Sequence, residues 1–232
     1  MSTSLSESLS VRDTAARHRT AAVLALSSRA VLAGWASRMG RFYAWATALG
    51  HALVAGYLSL HGDAAGVLAI VVRGLAWVSW AAGAVAWSAA RDVDEEERKS
   101  GVQGLEAARG IGPRARRAAS SLATIAVVAR TVAFPGLAMA VVTLAFLHSV
   151  RLALAFVPVA FGIALYALVF GAVFGGLARL SARLSPRQGR AVFAALVFFP
   201  YAMSEVFPGA PNVISAFSWL IERVADLGNL VG

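Results

Sequence analysis

The chain has 232 residues, 59% of them hydrophobic and 14% charged, with a formal net charge of +9 and a mean hydropathy of +0.69. Soluble domains carry roughly 25% charged residues, and the apolar excess here is blocked into runs of about 20 or more, the mark of membrane-spanning helices. The absence of cysteine removes disulfides and thiolate metal sites, and the basic residues sit between apolar runs, where bilayer orientation and anionic lipid explain them without nucleic acid.

Residues 1–13 are Ser-rich and polar, with no charged start leading into an apolar core, so no cleavable signal peptide is expected. From Thr14 the composition turns helical, interrupted by Arg17, Arg19, Arg29, Arg38 and Arg41. Its apolar core is too short to span, which predicts an interfacial helix within a cytoplasmic N-terminal region, residues 1–41. A transmembrane domain follows over residues 42–212. Its first span is Phe42 to Leu60, with His51 as a packing residue, and the turn His61-Gly62-Asp63 leads into a second span from Ala64 to Ala90. That second span carries Arg73 and places Trp77, Trp80 and Trp87 on one face, as in an interface belt or packing stripe.

Residues 91–117 are the one long polar stretch between two apolar ones. Acids Asp92 and Asp94 to Glu97 suit a helix N-terminus, Asp94–Arg98 and Glu95–Lys99 are acid-first i,i+4 pairs, and Gly110 can end the helix. Gly112-Pro113 then opens another helix, with Arg114, Arg116 and Arg117 at the inner surface. The third span, Ala118 to Leu147, holds Arg130 and a kink-forming Pro135. The fourth, Leu152 to Ala178, carries Gly171-x-x-x-Gly175, a face for close helix contact. A basic loop from Arg179 to Arg190 leads to a fifth span, shortened or broken by Pro200, Glu205 and Pro208. Residues 213–232 repeat apolar positions at three- and four-residue steps between charges, which predicts an amphipathic helix.

The expected fold is therefore all-α: a polytopic helical membrane protein of about five transmembrane helices, with amphipathic helices at both ends. A tail that spans, giving six, is the alternative. Seventeen Lys or Arg lie in 1–41, 91–117 and 179–190, against Arg151 and Arg223 on the other side, which places the N-terminus in the cytoplasm of a plasma (inner) membrane protein. Arg73 and Arg130 lie within the membrane, where each costs about 2.5–3.5 kcal/mol at a helix centre. Two roles stay open for them: pairing inside the bundle, with Glu205 as the natural acid, or lining a translocation path.

No catalytic constellation emerges. His18, His51, His61 and His148 are scattered without metal-ligand spacing, and Lys99-Ser100 lacks the glycines of a phosphate-binding loop. Glu97-Arg98-Lys99-Ser100-Gly101, then Leu105, then Arg109-Gly110-Ile111, resembles the cytoplasmic loop of type-2 ABC exporter permeases. Gly104 and the Pro-free bend depart from that pattern. The resemblance implies a permease subunit, not itself an enzyme, paired with a second copy or paralogue and driven by a separate ATP-binding cassette subunit that would hold ATP and Mg; this chain would bind no cofactor. Glu97, Arg98, Gly101, Val102, Leu105, Arg109 and Gly110 would then couple ATP hydrolysis to translocation. The competing expectation is a membrane scaffold or assembly protein whose inner loop recruits a soluble partner.

Overall fold

The computed structural model describes residues 34–91, 112–147, 150–185, 187–207 and 212–229, together with 24, 28, 31 and 32. These form six helices: α1 (Trp35–Leu60), α2 (Ala64–Ala89), α3 (Pro113–Ala145), α4 (Val150–Leu184), α5 (Gly189–Val206) and α6 (Val213–Asn229). No strand occurs among the described residues. Three helices are long and apolar enough to cross a membrane by length and composition, over Gly66–Ala89, Pro113–Ala145 and Ala153–Leu184. The architecture is all-α, as expected, and a count of about five spans is consistent with it.

Local chemistry sets the helix ends. After α1, Gly62 adopts φ +76°, a left-handed conformation that glycine takes without steric cost. Asp63 then caps α2, its Oδ1 accepting the Gly66 N–H at 2.8 Å. Extended Gly112 and Pro113 at the first position start α3. Asn212 Oδ1 accepts the Ser215 N–H at 2.7 Å and starts α6.

Packing pairs the helices antiparallel. Gly40 of α1 lies against Ala81 and Val85 of α2, and Gly74 of α2 lies against His51 of α1. Gly171 and Gly175 of α4 lie on Ala129 and Ile125 of α3, so the Gly-x-x-x-Gly face does bring two backbones together. A Cβ added at Gly171 would stand 2.5 Å from the Ala129 Cβ. The two pairs join through α1–α3 and α2–α3, while α5 and α6 flank α2 and α4.

Many small residues are buried while many large ones are exposed. Buried positions include Ala44, Ala48, Ala52 and Ala55 of α1, Ala82 and Ala86 of α2, and Thr124 and Thr143 of α3. Many large residues face outward, among them Leu154, Val157, Phe161 (71% exposed), Leu165 and Leu168 (64%) along one stripe of α4. Water would penalise that arrangement at about 25 cal/mol per Å² of exposed apolar surface. In lipid the penalty vanishes, and helix association depends on close backbone contact between small residues.

The two ends of the bundle differ in charge. One end gathers Arg38 and Arg41 of α1, Arg91 after α2, Arg114, Arg116 and Arg117 of α3, Arg179 and Arg183 of α4, and Arg187 and Arg190 around the start of α5. Arg183 donates to Ser121 Oγ at 3.1 Å across α3 and α4. The opposite end presents His61 and Asp63, with Ser59 Oγ donating to the Phe146 carbonyl at 3.0 Å. Three arginines in the first turn of α3 oppose the helix dipole, so helix stability is not what places them there.

Several expected boundaries shift. α1 begins at Trp35, not Phe42, so Arg38 and Arg41 belong to its first turns. Arg41 reaches back to the Leu32 and Ser37 carbonyls, and Gly40 packs on α2. The rest of the expected N-terminal interfacial helix lies largely outside the described residues. Arg179 and Arg183 are helical, because no breaker precedes Ser185 and cations suit a helix C-terminus. α5 continues through Pro200 to Val206. α6 is amphipathic as expected, but Phe217, Ile221 and Val224 are buried against protein rather than laid on lipid.

Candidate ligand cavity

The functional residues expected from sequence divide into three groups. Glu97, Arg98, Gly101, Val102, Leu105, Arg109 and Gly110 lie outside the described residues. Arg73 on α2 and Arg130 on α3 are both exposed on the outside of the bundle, Arg130 with its guanidinium 5.7 Å from the Phe134 ring. Glu205 falls in the last turn of α5, and its side chain lies outside the description.

Helix register bears on that acid. Arg190 stands 4.9 Å over the Trp87 ring, and Phe198 stacks on Trp80 at 6.1 Å and 17°. These contacts run α5 antiparallel to α2, and extending the same register brings residue 205 to the level of residue 73. The register therefore points to Arg73, not Arg130, as the basic neighbour of position 205.

The structure assembles a cavity that no single stretch of sequence announced. It lies between α2, α4, α5 and α6 and has a volume of about 430 Å³. Tyr166, Phe170 and Phe174 recur every four residues on α4 and form its floor, with ring centroids 5.9 and 4.2 Å apart. Phe217 of α6 sets its edge against all three, at 5.7, 5.0 and 5.4 Å. Trp80, Gly83 and Trp87 of α2 and Phe193, Val197 and Phe198 of α5 complete the wall. Edge-to-face rings hold the helices apart at fixed distances while satisfying the ring quadrupoles.

Polar chemistry in this cavity is sparse. Ser79 Oγ donates to the Leu75 carbonyl at 2.8 Å, which leaves the Tyr166 hydroxyl to donate to Ser79 Oγ, also at 2.8 Å. Tyr166 then keeps its lone pairs as acceptors. Ser218 adds a third hydroxyl to the lining. With three hydroxyls among otherwise apolar and aromatic lining residues, the arrangement suits binding an apolar molecule. The three-tryptophan face was legible in sequence as a stripe, but its pairing with α5 was not. The Tyr166-Phe170-Phe174 spacing was the one signal that could have disclosed the floor. No group of His, Asp or Glu among the described residues could hold a metal.

Compared with protein families, curated proteins and solved structures, the chain matches none.

Proposed function

We propose that this chain is a membrane permease subunit of an ATP-driven exporter of the type-2 ABC kind, working as a dimer with a separate ATPase. The observation that carries this reading is where the polar segment is tethered. Residues 92–111 connect the end of α2 to the start of α3, and both anchor points stand in the arginine-rich end of the bundle. By the positive-inside rule that end faces the cytoplasm, which offers the segment to a soluble ATPase. The same segment holds the Glu97-to-Ile111 stretch that resembles an exporter coupling loop. A partner docking there would push on α2 and α3, which pack directly on each other.

Purification of the full chain from its native membrane in mild detergent tests the proposal. An ATPase subunit should co-purify, and Leu105→Asp should release it while leaving membrane insertion and protein level unchanged. A chain that purifies without an ATPase, or a Leu105→Asp variant that retains one, contradicts it.

A further inference from the structure

The cavity has a shape, a lining and a charged rim that together specify a ligand. Its α2 wall extends from Ala76 to Trp87, which at about 1.5 Å per residue is about 16 Å of length. That length and the apolar lining suit one extended hydrocarbon chain. The volume itself falls within the roughly 300–1,000 Å³ of small-molecule sites.

The way in is equally specific. Trp80 and Phe198, both about half exposed, meet by ring stacking between α2 and α5, so the wall there is two side chains thick rather than two backbones in contact. At the basic end of the slot, Arg190 stands over the ring of Trp87, a lining residue. An apolar slot open towards lipid, with a guanidinium at its headgroup end, is complementary to an anionic amphiphile.

We propose that this cavity holds one acyl chain of an anionic bilayer lipid, which enters between α2 and α5 and sets its headgroup against Arg190. The second chain stays in the bilayer. The site belongs to the single chain and does not depend on the transport reading.

The experiment uses the full chain in phosphatidylcholine liposomes doped with phosphatidylglycerol carrying a diazirine on one acyl chain, with cross-linked residues mapped by mass spectrometry. Cross-links should concentrate on the cavity-facing residues of α2, α5 and α6. Gly83→Leu should abolish them, because a side chain there meets nothing within 4 Å of its Cβ and grows into the slot. Ala194→Leu fills the same space from α5 and repeats the test independently of α2. A phosphatidylcholine probe should label the wild type about fivefold less, the effect of one basic residue at about 1 kcal/mol, and Arg190→Gln should level the two probes. Cross-links spread over the outer faces of α1 and α4 and untouched by either filling variant would overturn the site. Equal labelling by both headgroups in the wild type would overturn the role of Arg190.

Discussion

The α1–α2 and α3–α4 pairs and the α2/α4/α5/α6 corner are built by opposite rules from similar composition. In the pairs, glycine and alanine let backbones touch: Gly40 on Ala81, Gly171 on Ala129, Gly175 on Ile125. In the corner, aromatic rings stand between helices, and Phe217 alone contacts three of them. Both regions are apolar, so hydrophobicity does not distinguish them; side-chain volume does. Small residues produce a rigid frame by dispersion and close approach. Large flat ones produce spacing, and spacing leaves room.

The same substitution should therefore have opposite consequences in the two regions. Gly171→Leu forces a side chain into the Ala129 backbone and is expected to cost about 3 kcal/mol or more, the upper range for overpacking. Gly83→Leu enters open space and should leave the melting temperature in detergent unchanged. Thermal denaturation of both variants checks this, and equal destabilisation would erase the distinction between frame and corner.

A smaller effect is expected from the one polar link across the corner. Ser79→Ala strands the buried Tyr166 hydroxyl, at about 1–3 kcal/mol, whereas Tyr166→Phe leaves Ser79 its bond to the Leu75 carbonyl and should cost about 1 kcal/mol. If Tyr166→Phe proves the more damaging, the Tyr166 hydroxyl makes a stabilising contact beyond the one to Ser79.

The register of α5 on α2 carries a further expectation. A double-mutant cycle of Arg73→Gln with Glu205→Gln should show coupling of about 0.5–3 kcal/mol, the range for residues in contact. The cycle of Arg130→Gln with Glu205→Gln should be additive. Coupling to Arg130 instead would mean that α5 does not hold this register.

The smallest effect belongs to the connection outside both regions. Asp63→Ala removes the N-cap of α2 and should cost about 1 kcal/mol, read as a modest fall in melting temperature with both regions otherwise intact. No change would mean that the cap is dispensable there.

What the sequence disclosed follows from which signals are local. The His61-Gly62-Asp63 turn, the Gly112-Pro113 start and the period of α6 are written in adjacent residues, and each appears where expected. The Gly171–Gly175 face was visible because two glycines four residues apart are unusual in an apolar run. The alanine stripe of α1 at 44, 48, 52 and 55 carries no local signal, since alanine is common on every face of such a helix. α1 starts before the expected Phe42 because charge need not end a span: arginines readily extend a helix beyond the hydrocarbon. The cavity was illegible for a deeper reason. Its four walls come from segments up to about 145 residues apart, and nothing local states that they meet.

Everything proposed about partner and direction rests on the arginine-rich end facing the cytoplasm. Because the chain contains no cysteine, single cysteines report this without background. Ser100→Cys, Arg187→Cys and His61→Cys should each be treated with a membrane-impermeant maleimide in intact cells and again after permeabilisation. His61→Cys is expected to label in intact cells, and Ser100→Cys and Arg187→Cys only after permeabilisation. Labelling of Ser100→Cys and Arg187→Cys from outside, with His61→Cys protected, would put the 92–111 segment beyond reach of any cytoplasmic ATPase and contradict the permease proposal.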